Sequence, residues 1–114
     1  MHEQVTRVII LPEVIDDFLD LASILYEKAY FGFEEEAMQY VRGLFEQIRD
    51  ELPRMHHKSA PKYFDKYGTG MYYAVFKRNK NTSWYAFFNI YRRPKETVYL
   101  VRYVNNNHMI AQHL

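Results

Sequence analysis

Hydrophobic periodicity divides the chain into strand-like and helix-like stretches. Val5–Ile10 (VTRVII) is a β-branched run that stops at Leu11-Pro12 and predicts a first strand. Pro12 then opens a helix, and Glu13, Asp16 and Asp17 suit its positive end. Its apolar stripe reads Ile15, Phe18, Leu19, Ala22 and Leu25, with an end expected near Ala29-Tyr30. Gly32 interrupts the pattern, and Glu34-Glu35-Glu36 begins a second helix. Adjacent helical residues point in different directions, so the three glutamates read as a solvated helix start and not as a metal cluster. Ala37, Val41, Leu44, Phe45, Ile48 and Leu52 make the second stripe, which Pro53 stops.

Arg54–Gly70 has no steady period and carries Pro61, Gly68 and Gly70, so it reads as an ordered loop between helices and sheet. Met71–Arg93 (MYYAVFKRNKNTSWYAFFNIYRR) reads as two aromatic strands joined by a basic turn. Thr97–Val104 (TVYLVRYV) is a further strand, and Asn105-Asn106-Asn107 offers caps for a short helix, His108–Leu114. Alternation sends Trp84, Ala86, Phe88 and Ile90 to one side of the sheet and Tyr85, Phe87, Asn89 and Tyr91 to the other. The Trp84 side is expected to meet helices, and the Tyr85 side, which carries the polar atoms, a groove or a partner. Strict alternation also groups Arg102 with Val98, Leu100 and Val104. The expected fold is α+β: a two-layer βααβββ arrangement with a small antiparallel sheet, an N-terminal helical hairpin on one face and a short C-terminal helix. Residues 1–114 are expected to form a single domain.

Composition narrows the chemistry. With no cysteine there is no disulfide framework, thiolate metal site or cysteine nucleophile, which suits a reducing cytoplasm. No apolar run approaches the roughly 18 residues of a membrane span, and the first residues lack the secretory pattern. A cytoplasmic location without membrane partners is the expectation. The net charge of +1 conceals a split: residues 1–52 hold four Lys/Arg against twelve Asp/Glu, a balance of −8, and residues 53–114 hold eleven against two, a balance of +9. Such asymmetry points to an anionic partner for the basic half, with nucleic acid first, or to acidic helices pairing with a basic sheet inside one domain. His56-His57 lacks a metal-binding spacing, and no Gly-rich phosphate loop or Gly-x-Ser-x-Gly elbow is present, so neither a metal nor a cofactor is expected.

The element order, the strand VYLVRYV (Val98–Val104), the NNH tail (Asn106–His108) and the segments Leu11–Tyr30, Ala37–Pro53 and Tyr72–Leu114 resemble the RelE/ParE toxin superfamily of bacterial type II toxin–antitoxin systems. The resemblance implies two activities on one scaffold: cleavage of messenger RNA in the ribosomal decoding site by the RelE-like branch, and poisoning of DNA gyrase by the ParE-like branch. It also implies a cognate antitoxin that covers the sheet groove or displaces the last helix, and messenger RNA on the ribosome as the other partner. Cleavage of the RelE type has a 2′-hydroxyl attack the adjacent phosphate. It needs a proton acceptor, a proton donor and cations, but no metal.

Lys77, Arg102, Tyr103 and His108 are the candidate catalytic residues, and Arg102-Tyr103 resembles the Arg/Tyr/His grouping of some RelE-like members. His108 is the first choice for acid or base because histidine titrates near neutral pH. One departure stands out. Where RelE-like members often carry an arginine in a pattern like YRLVY, this chain has Trp84-Tyr85-Ala86-Phe87-Phe88, and Tyr85 takes the arginine's place. Phosphate stabilisation then falls to Lys77, Arg102 or Arg92, or the chain does not cleave by that route. Lys62, Tyr67, Arg78, Lys80, Tyr85, Tyr91, Arg92 and Arg93 are the candidate RNA-binding residues, since cations track phosphates and rings stack on unpaired bases at about 1–3 kcal/mol each. Structural roles compete with each of these: aromatic residues are good strand formers, Tyr103 suits a core, and His108 suits a capping region. Three readings remain open: a RelE-like endoribonuclease, a ParE-like gyrase inhibitor, and a non-catalytic RNA- or protein-binding module.

Overall fold

The structure is a computed structural model that describes residues 4–27 and 34–114; the side chains of residues 24–27, 34, 108, 109 and 111 fall outside the description. Element order is β1 (Val5–Ile10), α1 (Pro12–Glu27), α2 (Glu34–Glu51), β2 (Lys58–Ser59), β3 (Tyr72–Asn79), β4 (Thr82–Arg92), β5 (Glu96–Asn106) and α3 (Asn107–Ile110). Short 3-10 turns occupy Leu52–Arg54, Lys62–Lys66 and Ala111–His113. The expected end of the first helix at Ala29-Tyr30 and the break at Gly32 lie outside the described residues.

The class is α+β, with one five-stranded sheet in the order β1-β5-β4-β3-β2. The expectation of an antiparallel sheet needs correction: β3, β4 and β5 are antiparallel neighbours, but β1 runs parallel to β5, from Val5 opposite Glu96 to Ile10 opposite Val101. Two strands so far apart in sequence are not bound by the hairpin rule that makes adjacent strands antiparallel. The expected βααβββ order also lacks β2, which pairs with β3 through Lys58 and Ser59. The expected helix His108–Leu114 is a single helical turn followed by a 3-10 turn, and β5 continues two residues beyond Val104.

Leu11 makes the corner between β1 and α1. Its N–H donates to the Val101 carbonyl at 3.1 Å, and its carbonyl accepts from Val14 and Ile15. Pro12 fits the first helical position, where no amide proton is needed. Helix α1 buries Val14, Phe18 and Ala22, four residues apart, while Ile15 and Leu19 are exposed at 38% and 51%. The expected stripe is therefore rotated by one residue, because the sheet selects only part of a wide apolar face. Helix α2 follows its expected stripe: Ala37, Val41, Leu44, Ile48 and Leu52 are buried, and Phe45 meets Phe18 edge-on at 6.1 Å. Both helices cover the sheet face that carries Ala74, Phe76, Trp84, Ala86, Phe88, Tyr99 and Val101, as expected for the Trp84 side.

The other face is not an open groove. Phe64, Met71, Phe87 and Ile110 form a second buried cluster there, flanked by Ala60, Tyr67, Tyr73, Tyr85 and Tyr103. The segment between β2 and β3 and the C-terminal turn thus make a partial third layer. No helix among the described residues is long and apolar enough to cross a membrane.

Candidate functional site

A β-bulge decides what this second face presents. Phe87 pairs with Tyr103 and Phe88 with Val101, so Arg102 is an extra residue in β5 with no partner in β4. A bulge places two successive side chains on one side of the sheet. Arg102 reaches Asn89 and Tyr91, Tyr103 packs beside Phe87, and Val104 packs with the helices on the opposite face. The grouping of Arg102 with Val104 by strict alternation therefore fails, because the inserted residue resets the alternation.

Arg102 is held on three sides. Its Nε donates to Asn89 Oδ1 at 2.6 Å and its Nη2 to the Tyr91 hydroxyl at 3.2 Å. Asn89 in turn donates through Nδ2 to the Thr69 carbonyl at 2.9 Å, which ties the 68–70 loop to the sheet. Gly68 lets the arginine lie flat on that loop, since a Cβ there would stand 2.5 Å from Arg102 Cδ. Gly70 completes the loop with φ of 66°, a conformation that glycine adopts without strain.

Tyr103 lies beside this arginine in sequence and stacks on Tyr67, with ring centres 3.8 Å apart and planes 5° from parallel. Its hydroxyl accepts from Asn105 Nδ2 at 2.9 Å. Burial is the main influence on this phenol and raises its pKa above the ordinary 10.0; the neighbouring Tyr67 adds to the rise, and the Asn105 hydrogen bond works against it. Tyr103 is therefore a proton donor at neutral pH and not a base.

The rings continue outward. Phe64 stacks on Phe87 at 4.3 Å, and Tyr63 stacks on His113 at 3.6 Å with 6° between planes. Lys66 donates to the Tyr63 hydroxyl at 3.1 Å and lies 4.2 Å from the Tyr63 ring centre and 5.3 Å from that of Tyr67. The result is a half-buried aromatic platform with cations at its rim.

No protein-family model, curated protein or solved structure matches this chain. The site must be read from its own geometry.

The candidate residues divide among four places. Arg102, Tyr103, Tyr67 and Tyr91 come together on the second face. Tyr85 is half-buried on the same face against Tyr73, with ring centres 6.0 Å apart. Lys77 is exposed and pairs with Ser83, four or five residues along β4 from the level of Arg102, which at about 3.3 Å per residue is roughly 13–17 Å. Lys80 stands in the turn beyond it. His108 is the second residue of α3, whose first residue, Asn107, accepts from the Ser83 amide at 3.1 Å; the backbone of His108 thus sits at the Lys77 end of the sheet, and its side chain is outside the description. Arg92 and Arg93 are exposed at the far end of the hairpin, and Lys62 begins the 3-10 turn before Phe64.

Arg78 lies elsewhere. It continues the alternation of Ala74 and Phe76 on the helix side, where Nη1 donates to Gln47 Oε1 at 2.9 Å and the guanidinium lies 5.0 Å from the Tyr40 ring centre.

Asn89, Gly68 and Thr69 were not among the candidates, yet they fix Arg102. The one signal for Asn89 was its position as the sole amide among the aromatic residues of its strand; Gly68 and Thr69 gave none. Among the described residues no three His, Cys, Asp or Glu side chains gather as metal ligands, and the His57 ring packs edge-on to Tyr72 at 5.0 Å. The ion pairs among the described residues are Arg7–Glu96 and Arg49–Asp50, and neither joins an acidic helix to a basic strand. Of these two pairs Arg7–Glu96 crosses between the halves, and it joins a basic residue of the acidic half to an acidic residue of the basic half.

Proposed function

We propose that this chain is a RelE-like toxin: it binds single-stranded messenger RNA on the sheet face opposite α1 and α2, cleaves it beside Arg102 and Tyr103, and is held in check in the cytoplasm by a cognate antitoxin. The observation that carries this reading is the bulge that sets a braced guanidinium and a protonated phenol side by side on an aromatic face with a basic rim. Arg102 spends Nε and Nη2 on Asn89 and Tyr91, which leaves Nη1 to meet a phosphate oxygen without reorganisation. In the proposed reaction the 2′-oxygen attacks phosphorus, the bond to the 5′-oxygen breaks, and a 2′,3′-cyclic phosphate and a 5′-hydroxyl result. Tyr103, which keeps its proton at neutral pH, protonates the departing 5′-oxygen, and the proton of the 2′-hydroxyl passes to water, since the backbone of His108 lies at the Lys77 end of the sheet. Tyr67, Tyr85 and Tyr91 offer rings for unpaired bases, and Lys62, Lys66 and Arg92 offer cations for the backbone.

Induced expression followed by mapping of transcript 5′ ends tests the reading. New ends inside translated codons are expected, with loss of them in Arg102→Ala and a strong reduction in Tyr103→Phe. Cuts that persist in both variants would remove the site assignment. The ParE-like reading draws support from one observation, that Lys77 stands roughly 13–17 Å from the level of Arg102 and the four candidate groups do not converge. Intact transcripts together with a supercoiling defect would favour it.

A further inference from the structure

The outer edge of the sheet at β3 is left half open. β2 pairs only with Tyr72 and Tyr73, and the Ala60 amide donates to the Met71 carbonyl at 2.9 Å. Backbone groups alternate along a strand, so Met71, Tyr73, Val75 and Lys77 direct their N–H and C=O outward, and Tyr72, Ala74 and Phe76 direct theirs to β4. Beyond Tyr73, among the described residues, no strand lies on the outer side of Val75 and Lys77. The open edge from Ala74 to Arg78 covers about 16 Å, close to an ordinary strand length. Where β2 turns away, a cleft of ≈ 240 Å³ lies between Met55, His56, His57 and Lys58 on one side and Tyr73, Ala74 and Val75 on the other.

The charge at this edge is of one sign. Lys58, Lys77 and Lys80 are exposed, and no carboxylate occurs in residues 53–64 or 66–95. Lysine on an edge strand hinders pairing with a second copy. Here β2 already occupies the edge of Tyr73, so two copies must pair through Ala74–Arg78. That register sets the two Lys77 side chains diagonally across the ladder, about 7–8 Å apart. An acidic segment meets the same lysines with the opposite sign.

We propose that the free edge of β3 is a docking site for an extended acidic segment of a partner protein, which adds as a sixth strand beside Val75 and Lys77. Its side chains on the Tyr73 face alternate, with a carboxylate beside Lys77 and an apolar group beside Val75, which is exposed at 38%. The end of the segment next to β2 seats in the cleft lined by His57 and Tyr73. This site stands apart from Arg102 and Tyr103 and does not depend on the toxin reading.

The test uses the full chain and a capped peptide of about eight residues whose positions on one face alternate between glutamate and valine, with threonine at the positions between them. Hydrogen exchange read residue by residue should show protection of the Val75 and Lys77 amides on peptide addition, with no change at Ala74 and Phe76, whose amides already serve β4. Lys77→Glu should weaken the acidic peptide about five-fold and gain binding to a lysine–valine peptide. Val75→Pro should abolish protection while β3 and β4 stay paired, because only an outward amide is lost. If Val75→Pro fails to fold, the charge exchange at Lys77 still decides. Absence of protection by the acidic peptide, equal affinity for both peptides in Lys77→Glu, or protection that grows with protein concentration without peptide would each overturn the proposal; the last result would assign the edge to a second copy.

Discussion

The two faces of the sheet are built from neighbouring residues of the same strands, yet they are different materials. On the helix side, Trp84, Ala86 and Phe88 meet Val14, Phe18, Ala22, Leu44 and Ile48 in one continuous core, with Trp84 Nε1 donating to the Tyr40 hydroxyl at 3.1 Å. On the other side four buried residues are ringed by partly buried tyrosines, among them Tyr103 with its hydroxyl bonded to Asn105, beside an arginine braced by an amide. Aliphatic side chains on two helices can fill a core without hydrogen-bond demands. Tyrosines bring apolar area and a polar tip together, which is what a surface that must meet a polar ligand requires. Each face thus has a buried core, a large one under the helices and a small one with a polar margin, and it is that margin to which the proposed function assigns recognition.

Phe87 and Phe88 give the sharpest test of that division, since both are fully buried and they point to opposite faces. Each change to alanine should cost about 3–5 kcal/mol in denaturant unfolding. Phe87→Ala should in addition raise hydrogen exchange in residues 60–71, where Phe64 stacks on its ring. A cost below about 1 kcal/mol for Phe87→Ala would show that the second face is not a core.

Two glycines extend the comparison to smaller energies. Gly68→Ala places a methyl 2.5 Å from Arg102 Cδ and should cost about 1–2 kcal/mol, because the arginine must leave Asn89; on the proposed function it also weakens binding of a single-stranded RNA. Gly43 lies within α2, and a Cβ there meets the guanidinium end of Arg78, with Nη2 at 3.1 Å, an end that a long side chain can shift without moving backbone. Gly43→Ala should be neutral or stabilise by up to about 1 kcal/mol, since alanine suits a helix better. Equal losses at both positions would remove the contrast between the faces.

Tyr103 supplies a pH dependence specific to the second face. Burial holds its folded-state pKa above the unfolded value of 10.0, so the folded state binds more protons between the two. Stability should be flat on this account below about pH 10 and should fall as pH rises through the folded value. Tyr103→Phe should remove that fall, as read by denaturant midpoints from about pH 8 to about pH 11. The smallest effect belongs to neither face. Arg7→Ala breaks the exposed Arg7–Glu96 pair at the sheet edge and should change stability by less than about 1 kcal/mol, a change that added salt erases.

Much of the helix face was legible in advance because its signals are local. The β-branched run of β1, Pro12 at the start of α1, the α2 stripe and the Trp84–Phe88 alternation each depend on residues within a few positions of one another. The second face was legible only as a collection of rings and cations. Its organising residues take their roles only when the 68–70 loop lies against β4, where Asn89 meets Thr69 and Arg102 lies over Gly68, and Arg78, a candidate RNA contact, lies on the helix side with Ala74 and Phe76.

By itself the sequence determined the α+β class, the positions of most elements, the side of β4 that meets the helices, and the separation of acidic from basic halves. All of these follow from propensity, period and composition, which act over one or two turns of chain. The tertiary structure alone decided that β1 runs parallel to β5, that a bulge turns Arg102 and Tyr103 to one face, and that β2 leaves the edge of β3 open beyond Tyr73. Register and bulges are set by how distant segments share a core and satisfy each other's backbone groups, and a single inserted residue reverses the face of every side chain after it.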